Sequence, residues 1–559
     1  MSKSGFARAA GLMMVAVLAS RLLGVLRESV IAGRFGQGEL TDLYRAAFGL
    51  PDVLFFMVAG GALSSAFVPV FTDYITRGEE KEAWKTYSIV TSVMGVVIGV
   101  LILLGIIFAR SLVPIISPGF SEAQWDETAH LTRIVLPSQF FFFMGGLIMG
   151  TLYARKHFLI PALGPLIYNI GIIMGGIFLG GMFGIAGLCW GALGGAVVGN
   201  FILQIWYAKK LGVSYQFCLD ISHPGAGKVF SLMLPVILGL SIANIDILIN
   251  RIFGTYLAAG SISALENANR LMQVPLGLFG QAAGIVALPM LSALAAQKNF
   301  KEYRETLNFG IRSIFFAMIP ASFFMIVLAK PIVAFILQAG AFDAEDTIRC
   351  SQALVFYALG TFAWGGQAIM ARGFYALHDT KTPIIIGSVM TAIFMPMNWF
   401  VVKLAESGVV IASNPLIQSI IGHSGLALST SFIAVSYLLV LSYCLAKRVD
   451  GIGAGRILSS ALKVCLASLI ASAACWLVAT YLSPGLDHSA TLTVKKAAAL
   501  QIFPGLAAFL LVFIPVCRVL KVEELETYTD MIRRRFGRKG GNNDTPGPVT
   551  PEAPDAPLG

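Results

Sequence analysis

Fourteen apolar stretches recur along this chain, and each is long enough to cross the ~30 Å hydrocarbon core of a bilayer as a helix. They fall near residues 5–33, 40–74, 86–109, 128–154, 160–182, 184–208, 228–254, 261–295, 306–329, 350–376, 382–403, 424–446, 457–482 and 498–519. The runs are too long and too continuous for the alternating strands of an outer-membrane barrel. Only 13% of the residues are charged and 57% are hydrophobic, against about 25% charged in soluble domains. The expected fold class is therefore an all-α polytopic membrane protein with about fourteen transmembrane helices.

The net charge of +10 suggests nucleic acid only until the charges are located. Connections on one side hold eighteen Lys and Arg, among them Arg77, Lys81, Lys85, Lys209, Lys210, Lys447 and Arg448. Connections on the other side hold nine, including Arg34, Arg110, Arg133 and Arg251. By the positive-inside rule this places both termini in the cytoplasm. The basic excess is then topology, and no nucleic-acid partner is expected. Lys3, Arg8 and a short apolar run ending at Leu18-Ala19-Ser20 imitate a signal peptide. Cleavage there would leave thirteen spans with the basic loops or the tail on the wrong side, so a retained first helix is expected.

Cysteines 189, 218, 350, 444, 465, 475 and 517 are scattered without a CxxC pair, and the six histidines show no ligand spacing. No metal site is expected. No Walker A sequence occurs either, since His223-Pro224-Gly225-Ala226-Gly227-Lys228 lacks both the glycine spacing and the Ser/Thr.

Internal repetition organises the spans. Tyr153 and Pro161 recur as Tyr375 and Pro383 at an offset of 222 residues, and Pro69 recurs as Pro289 at 220. Each repeat holds six helices, an even number, so both copies keep one orientation about an axis along the membrane normal. That is the parallel-repeat plan of a transporter with its site between the halves. The expected domains are a six-helix lobe at 1–215, a second at 216–450, two extra helices at 451–520, and a tail at 521–559 that is basic and then disordered.

Charges inside the spans mark the candidate site. Arg21, Arg27 and Glu28 form a polar sector on the first helix, Asp42, Arg45 and Asp52 lie on the second, and Glu266 and Arg270 lie on the eighth. Internal Arg–carboxylate pairs would account for part of this pattern. The preference for Arg over Lys points further, because guanidinium forks bind phosphate oxygens in bidentate fashion and keep their charge. Arg21, Arg27 and Arg270 converging from the two halves would suit a diphosphate headgroup. On the seventh helix Asn244, Asp246 and Asn250 fit a cation site or, more plainly, polar helix packing.

The block Ser20-Arg21-Leu22-Leu23-Gly24-Val25-Leu26-Arg27-Glu28, with Phe35-Gly36-Gln37-Gly38, Thr41-Asp42, Leu50-Pro51-Asp52 and Phe67-Val68-Pro69, resembles the opening of the MurJ (MviN) family of lipid II flippases. Asn269-Arg270-Leu271-Met272 and Asp379-Thr380-Lys381-Thr382-Pro383 resemble its later motifs. The likeness extends to about residue 520. It implies membership of the superfamily that also holds multidrug and oligosaccharide-lipid exporters, residence in the bacterial inner membrane, and a substrate of undecaprenyl-diphosphate carrying the peptidoglycan unit. It implies flipping by rocking of two lobes, with no cofactor beyond a coupling cation or the membrane potential. Membrane lipids and proteins of wall synthesis or division are the further partners it implies. Carried over by position, Arg21, Arg27, Glu28 and Arg270 are cavity charges, and Asp42 is a loop carboxylate. Phe55-Phe56 stand where the family often has two arginines, Gln273 where it often has an acid, and Arg45 is an extra cation, which puts the headgroup contacts of the second helix in question. The alternative reading is an ion-coupled exporter of another lipid-linked oligosaccharide or of an amphipathic drug.

Overall fold

The computed structural model describes residues 3–55, 62–155, 157, 159–243, 245–407, 421–482 and 491–537. Among them the regular structure is helical, apart from one isolated bridge between Ala339 and Phe342. Phe56, Gly60, Gly61, Lys156, Asn244 and the tail from Arg538 lie outside the described residues.

Ten helices among the described residues are long and apolar enough to cross a membrane. The four other expected positions are helical too, and they carry charges or are interrupted. They are Lys3–Phe35; Glu39–Ala47 with Gly49–Leu54 and Ala62–Thr76; Pro224–Ala243 with Ile245–Gly254; and Ser261–Pro275 with Gln281–Ala296. These same four supply most of the candidate site described below.

Repetition extends to the helix ends. Glu80–Ile107 and Phe300–Val327 are both 28 residues long and start 220 apart. Each is followed at once by a short helix, Ala109–Ile116 or Ala329–Leu337. Helices beginning at Glu39 and Ser261, and at Glu122 and Ala344, are 222 apart. Several helices start about six residues before their apolar runs, and the reason is capping. Ser121 accepts from the Gln124 N–H, Asn299 from the Glu302 N–H and Asp343 from the Asp346 N–H, which satisfies first-turn donors in a polar stretch.

Close packing in the first half relies on small residues. Helix Leu159–Met174, with the π-helical turn Gly175–Leu179 that continues it, meets Ala186–Gly195 through Gly171 and Gly175 against Gly187, Gly191 and Gly195. A Cβ on Gly171 would lie 2.6 Å from the Gly191 carbonyl oxygen, and one on Gly191 would lie 2.8 Å from the Gly175 Cα. The extra helices Ala454–Tyr481 and Thr491–Val519 pack on the second half, where Phe509 meets Phe324 and Phe513 meets Phe316 with ring centroids 6.0 and 5.8 Å apart. The tail, expected to be basic and then disordered, begins as a further helix, Glu523–Gly537. Buried Arg312 holds its start through Glu524 and, at 2.6 Å, Glu523. The hydrogen bond from Arg312, and then its charge, holds the Glu523 carboxyl below the usual carboxylate range.

Gly191→Ala is expected to destabilise the protein by about 1–3 kcal/mol, because backbone must move to admit the methyl. Gly194→Ala, where a Cβ meets nothing within 4 Å, serves as control. Thermal unfolding of the two variants in one detergent checks the contrast; equal midpoints would contradict it.

Candidate functional site

Glu28 sits at the centre of a charge network that ties the two halves together. Its Oε1 accepts from Arg27 Nη2 at 2.7 Å and Nε at 3.0 Å, and pairs with Arg270 Nη1 at 2.6 Å. Its Oε2 accepts from Arg45 Nη2 at 2.9 Å. Arg45 reaches across to the second half, donating from Nη1 to Glu266 Oε2 at 2.7 Å and from Nη2 to Asn267 Oδ1 at 2.7 Å. Glu266 Oε1 also accepts from Arg251 Nη2 at 2.9 Å, while Arg251 Nη1 donates to Asp52 Oδ2 at 3.0 Å. Helical periodicity places Glu266 one turn before Arg270, and the two stand 3.7 Å apart. Arg27 is steadied from outside the network by Asn169 Oδ1 at 2.9 Å.

Beside the network runs a seam at the end of the molecule away from the lysine-rich loops. Asp42 caps the first turn of the helix Ser261–Pro275. Its Oδ2 accepts from the Gly260 N–H and its Oδ1 from the Ser263 N–H and Oγ, all at 2.7 Å. A carboxylate at a helix N-terminus satisfies orphan donors and meets the positive end of the dipole. Gly260 has φ +87, and a Cβ there would press within 2.6 Å of the Gln37 carbonyl oxygen, so this junction requires glycine. Further along the seam the Ala341 N–H donates to the Gly33 carbonyl at 2.9 Å, the Gln37 N–H to Asp346 Oδ2 at 3.2 Å, and the Gly119 N–H to Thr255 Oγ1 at 3.0 Å. Closed at this end, the halves leave space between them deeper in.

Two cavities share Arg270 and Gln273 as wall residues. One, of about 360 Å³, is lined by polar groups including Asp52, Asp246, Arg251 and Glu266. The other, of about 420 Å³, combines Arg21 and Arg270 with apolar Leu22, Val25, Leu271, Val274 and Leu278. The Arg21 guanidinium lies in a notch at Gly277, where any Cβ would collide with it. Gly277 belongs to a π-helical turn, residues 276–280, a local widening that recurs at functional sites.

The structure thus separates the residues singled out in the sequence. Arg27, Glu28, Arg45 and Arg270 form one network, and Arg21 joins Arg270 across a cavity. Arg45 is only 3% exposed at its side chain and Arg270 is 40% exposed. Arg45 is therefore an internal clasp, and its position does not replace the arginines missing at Phe55, whose ring meets Phe142 at 6.1 Å. Asp42 is spent on the seam. Arg251, expected in a loop, is instead buried on the helix Ile245–Gly254 between Asp52 and Glu266. The signal that could have found it is the apolar Ile252-Phe253 that follows it, which continues the span. Asn267 and Asn169 were also missed; single amides carry no distinctive spacing.

Asp246 lines the polar cavity and also a smaller one of about 280 Å³ within the second half. Asn250 donates from Nδ2 to Thr430 Oγ1 at 2.9 Å, and its Oδ1 accepts from Asn398 at 3.2 Å. The Asn398 Oδ1 is buried without a hydrogen-bond partner. No group of three or more His, Cys, Asp or Glu placed to hold a metal ion occurs among the described residues.

A family model described as lipid II flippase MurJ matches residues 31–494. A Burkholderia cenocepacia protein described as lipid II flippase MurJ is 30% identical over 439 residues, 77% of this chain and 82% of its own. A Vibrio cholerae protein described as a probable lipid II flippase MurJ is 28% identical over 428 residues, covering 75% and 78%. A solved structure of lipid II flippase MurJ in an inward closed conformation is similar at 26% identity with a TM-score of 0.73, covering 91% of this chain and 99% of that one. An inward-facing multidrug transporter of the MATE family shares the fold at 15% identity, with a TM-score of 0.62 and coverage of 77% and 94%.

Removing Arg45 would leave the buried Glu28 Oε2 and Asn267 Oδ1 without their donor, so Arg45→Ala is expected to cost about 3–5 kcal/mol. Arg270→Ala should move stability far less, since Glu28 keeps Arg27 and Arg45. Unfolding midpoints of the two variants, purified in parallel, test this ranking, and a larger loss for Arg270→Ala reverses it.

Proposed function

This chain belongs to the lipid II flippase MurJ family, and from that membership we propose that it carries undecaprenyl-diphosphate-linked peptidoglycan precursor from the inner to the outer leaflet by alternating access. It is a multi-pass membrane transporter and not an enzyme. The observation that carries the mechanism is the pairing of a seam closed at one end with an exposed Arg21–Arg270 cavity whose other wall is apolar. On this reading the Lys- and Arg-rich loops at the opposite end face the cytoplasm by the positive-inside rule, and this state would face inward.

The diphosphate of the substrate enters between Arg21 and Arg270, and the apolar wall takes the first part of its lipid tail. Guanidinium groups match phosphate oxygens as they match carboxylates, so the ligand competes with Glu28 for Arg270. Drawing Arg270 away loosens a contact that joins the halves, and the seam around Asp42 is then free to part. A ligand shifts a two-state equilibrium only by its differential affinity; here the difference lies in which anion Arg270 holds. Arg27, Arg45 and Arg251 keep their carboxylate partners and hold the network in register.

Asp246 and Asn250, with the unpaired oxygen of Asn398, would hold a coupling cation at the neighbouring polar cavity of about 360 Å³. A carboxylate among amide oxygens suits a hard cation. Asp246→Asn would then abolish any dependence of transport on the sodium or proton gradient, which vesicles with imposed gradients can measure.

Arg21→Ala and Arg270→Ala are each expected to abolish flipping with the protein still inserted, and lipid II should accumulate in the inner leaflet of depleted cells carrying either variant. Retained flipping in both sinks the cavity assignment. A Cβ on Gly33 would lie 3.6 Å from the Ala339 Cβ, within disulfide range. Gly33→Cys with Ala339→Cys, in a background lacking the native cysteines, should stop transport on oxidation and restore it on reduction. Transport that continues in the crosslinked protein rules out opening at this seam.

A further inference from the structure

A separate cavity of about 310 Å³ lies wholly in the first half, away from the charge network. Tyr87 and Thr91 line it from the helix Glu80–Ile107, Phe140, Met144 and Ile148 from Ser138–Ala154, and Phe201 with Ile205 from the sixth span. Lys209 stands at its rim. The remaining wall is the connection between the two halves, residues 213–220, which runs without regular structure.

That connection is fastened to the helix Glu80–Ile107 by its backbone. The Gln216 N–H donates to Ser88 Oγ at 3.1 Å, the Cys218 N–H to Ser92 Oγ at 3.1 Å, and the Tyr215 hydroxyl lies 3.1 Å from Ser92 Oγ. Tyr215 also packs on Tyr87, with ring centroids 6.4 Å apart. While the Gln216 and Cys218 N–H groups bond inward, the side chains of Phe217, Leu219 and Ile221 are exposed. Neighbouring Val198, Ile202 and Trp206 are exposed as well, so the cavity is flanked by surface that water would not tolerate and lipid would.

Charge fixes the depth. Lys210 Nζ sits 3.6 Å over the Trp206 ring, and Trp and Lys together mark the level of lipid headgroups. No acid lines the cavity. We propose that this cavity is a binding site for an anionic glycerophospholipid of the inner leaflet, with an acyl chain in the apolar chamber and the phosphate at Lys209 and Lys210. The lipid would brace Tyr215 and with it the connection between the halves, and so favour the inward-facing arrangement in which this wall is formed.

Native mass spectrometry of the full chain in detergent, supplied with equal phosphatidylglycerol and phosphatidylcholine, tests the site. Wild type should retain one more phosphatidylglycerol than Met144→Trp, whose indole fills the chamber. Lys209→Ala with Lys210→Ala, a surface change, should lower the preference for phosphatidylglycerol by about tenfold. Equal lipid counts in wild type and Met144→Trp, with matched unfolding midpoints, overturn the proposal. So does an unchanged preference in the double lysine variant. Displacement of phosphatidylglycerol by undecaprenyl phosphate at equal concentration overturns it in another way, giving the chamber to the substrate's own tail.

Discussion

A carboxylate at the meeting surface of two membrane lobes has to be matched by cations from both of them, and Glu28 is matched in this way. Arg27 and Arg45 approach it from the first half and Arg270 from the second. Each charge near a bilayer centre costs about 2.5–3.5 kcal/mol on insertion scales, so none of these helices could be placed stably without the others. The apolar helices around them have no comparable demand, because lipid serves them as well as protein does. The charge network therefore decides how the halves sit, and the small-residue contacts and aromatic pairs complete packing within each half.

Counting charges in the network says why, in the proposed transport cycle, a clasp would also serve as a receptor. Four guanidinium groups, Arg27, Arg45, Arg251 and Arg270, face three carboxylates, Glu28, Asp52 and Glu266. One positive charge is left over, and it is available where solvent reaches, at Arg270. Arg21 lines the same apolar-walled cavity. The buried members resist exchange because an uncompensated charge would remain, whereas in the proposed cycle the exposed Arg270 would trade one anion for another. Burial sorts the same residue type into lock and handle.

Much of this was legible in the sequence, and the limits have physical causes. Apolar runs and the 222-residue offset are one-dimensional signals, and the repeat is matched by helix boundaries that recur at that spacing. Arg21, Arg27, Glu28 and Arg270 announced themselves because charge inside a span is expensive. Arg251 did not, since a cation near the end of a span reads equally well as a loop residue. Arg45 was visible as a charge but not as a buried one: its partners Glu266 and Asn267 lie 221 and 222 residues away. Helix starts were misjudged where Ser121, Asn299 and Asp343 extend helices into polar sequence. The tail helix at Glu523–Gly537 was missed because its anchor, Arg312, lies more than two hundred residues earlier.

The bond between Arg45 and Asn267 joins positions that are 222 residues apart, which is the spacing of the repeat itself. Equivalent residues of two copies can touch only where the pseudo-two-fold axis passes, so that axis runs through this contact. In a perfectly duplicated chain each residue there would face its own twin, and two arginines would repel while two asparagines would take the Arg45 donor away from Glu28 Oε2. An arginine opposite an amide resolves the conflict. The axis is therefore a place where the two halves could not have remained alike, and the divergence of the copies is written there as a difference in charge.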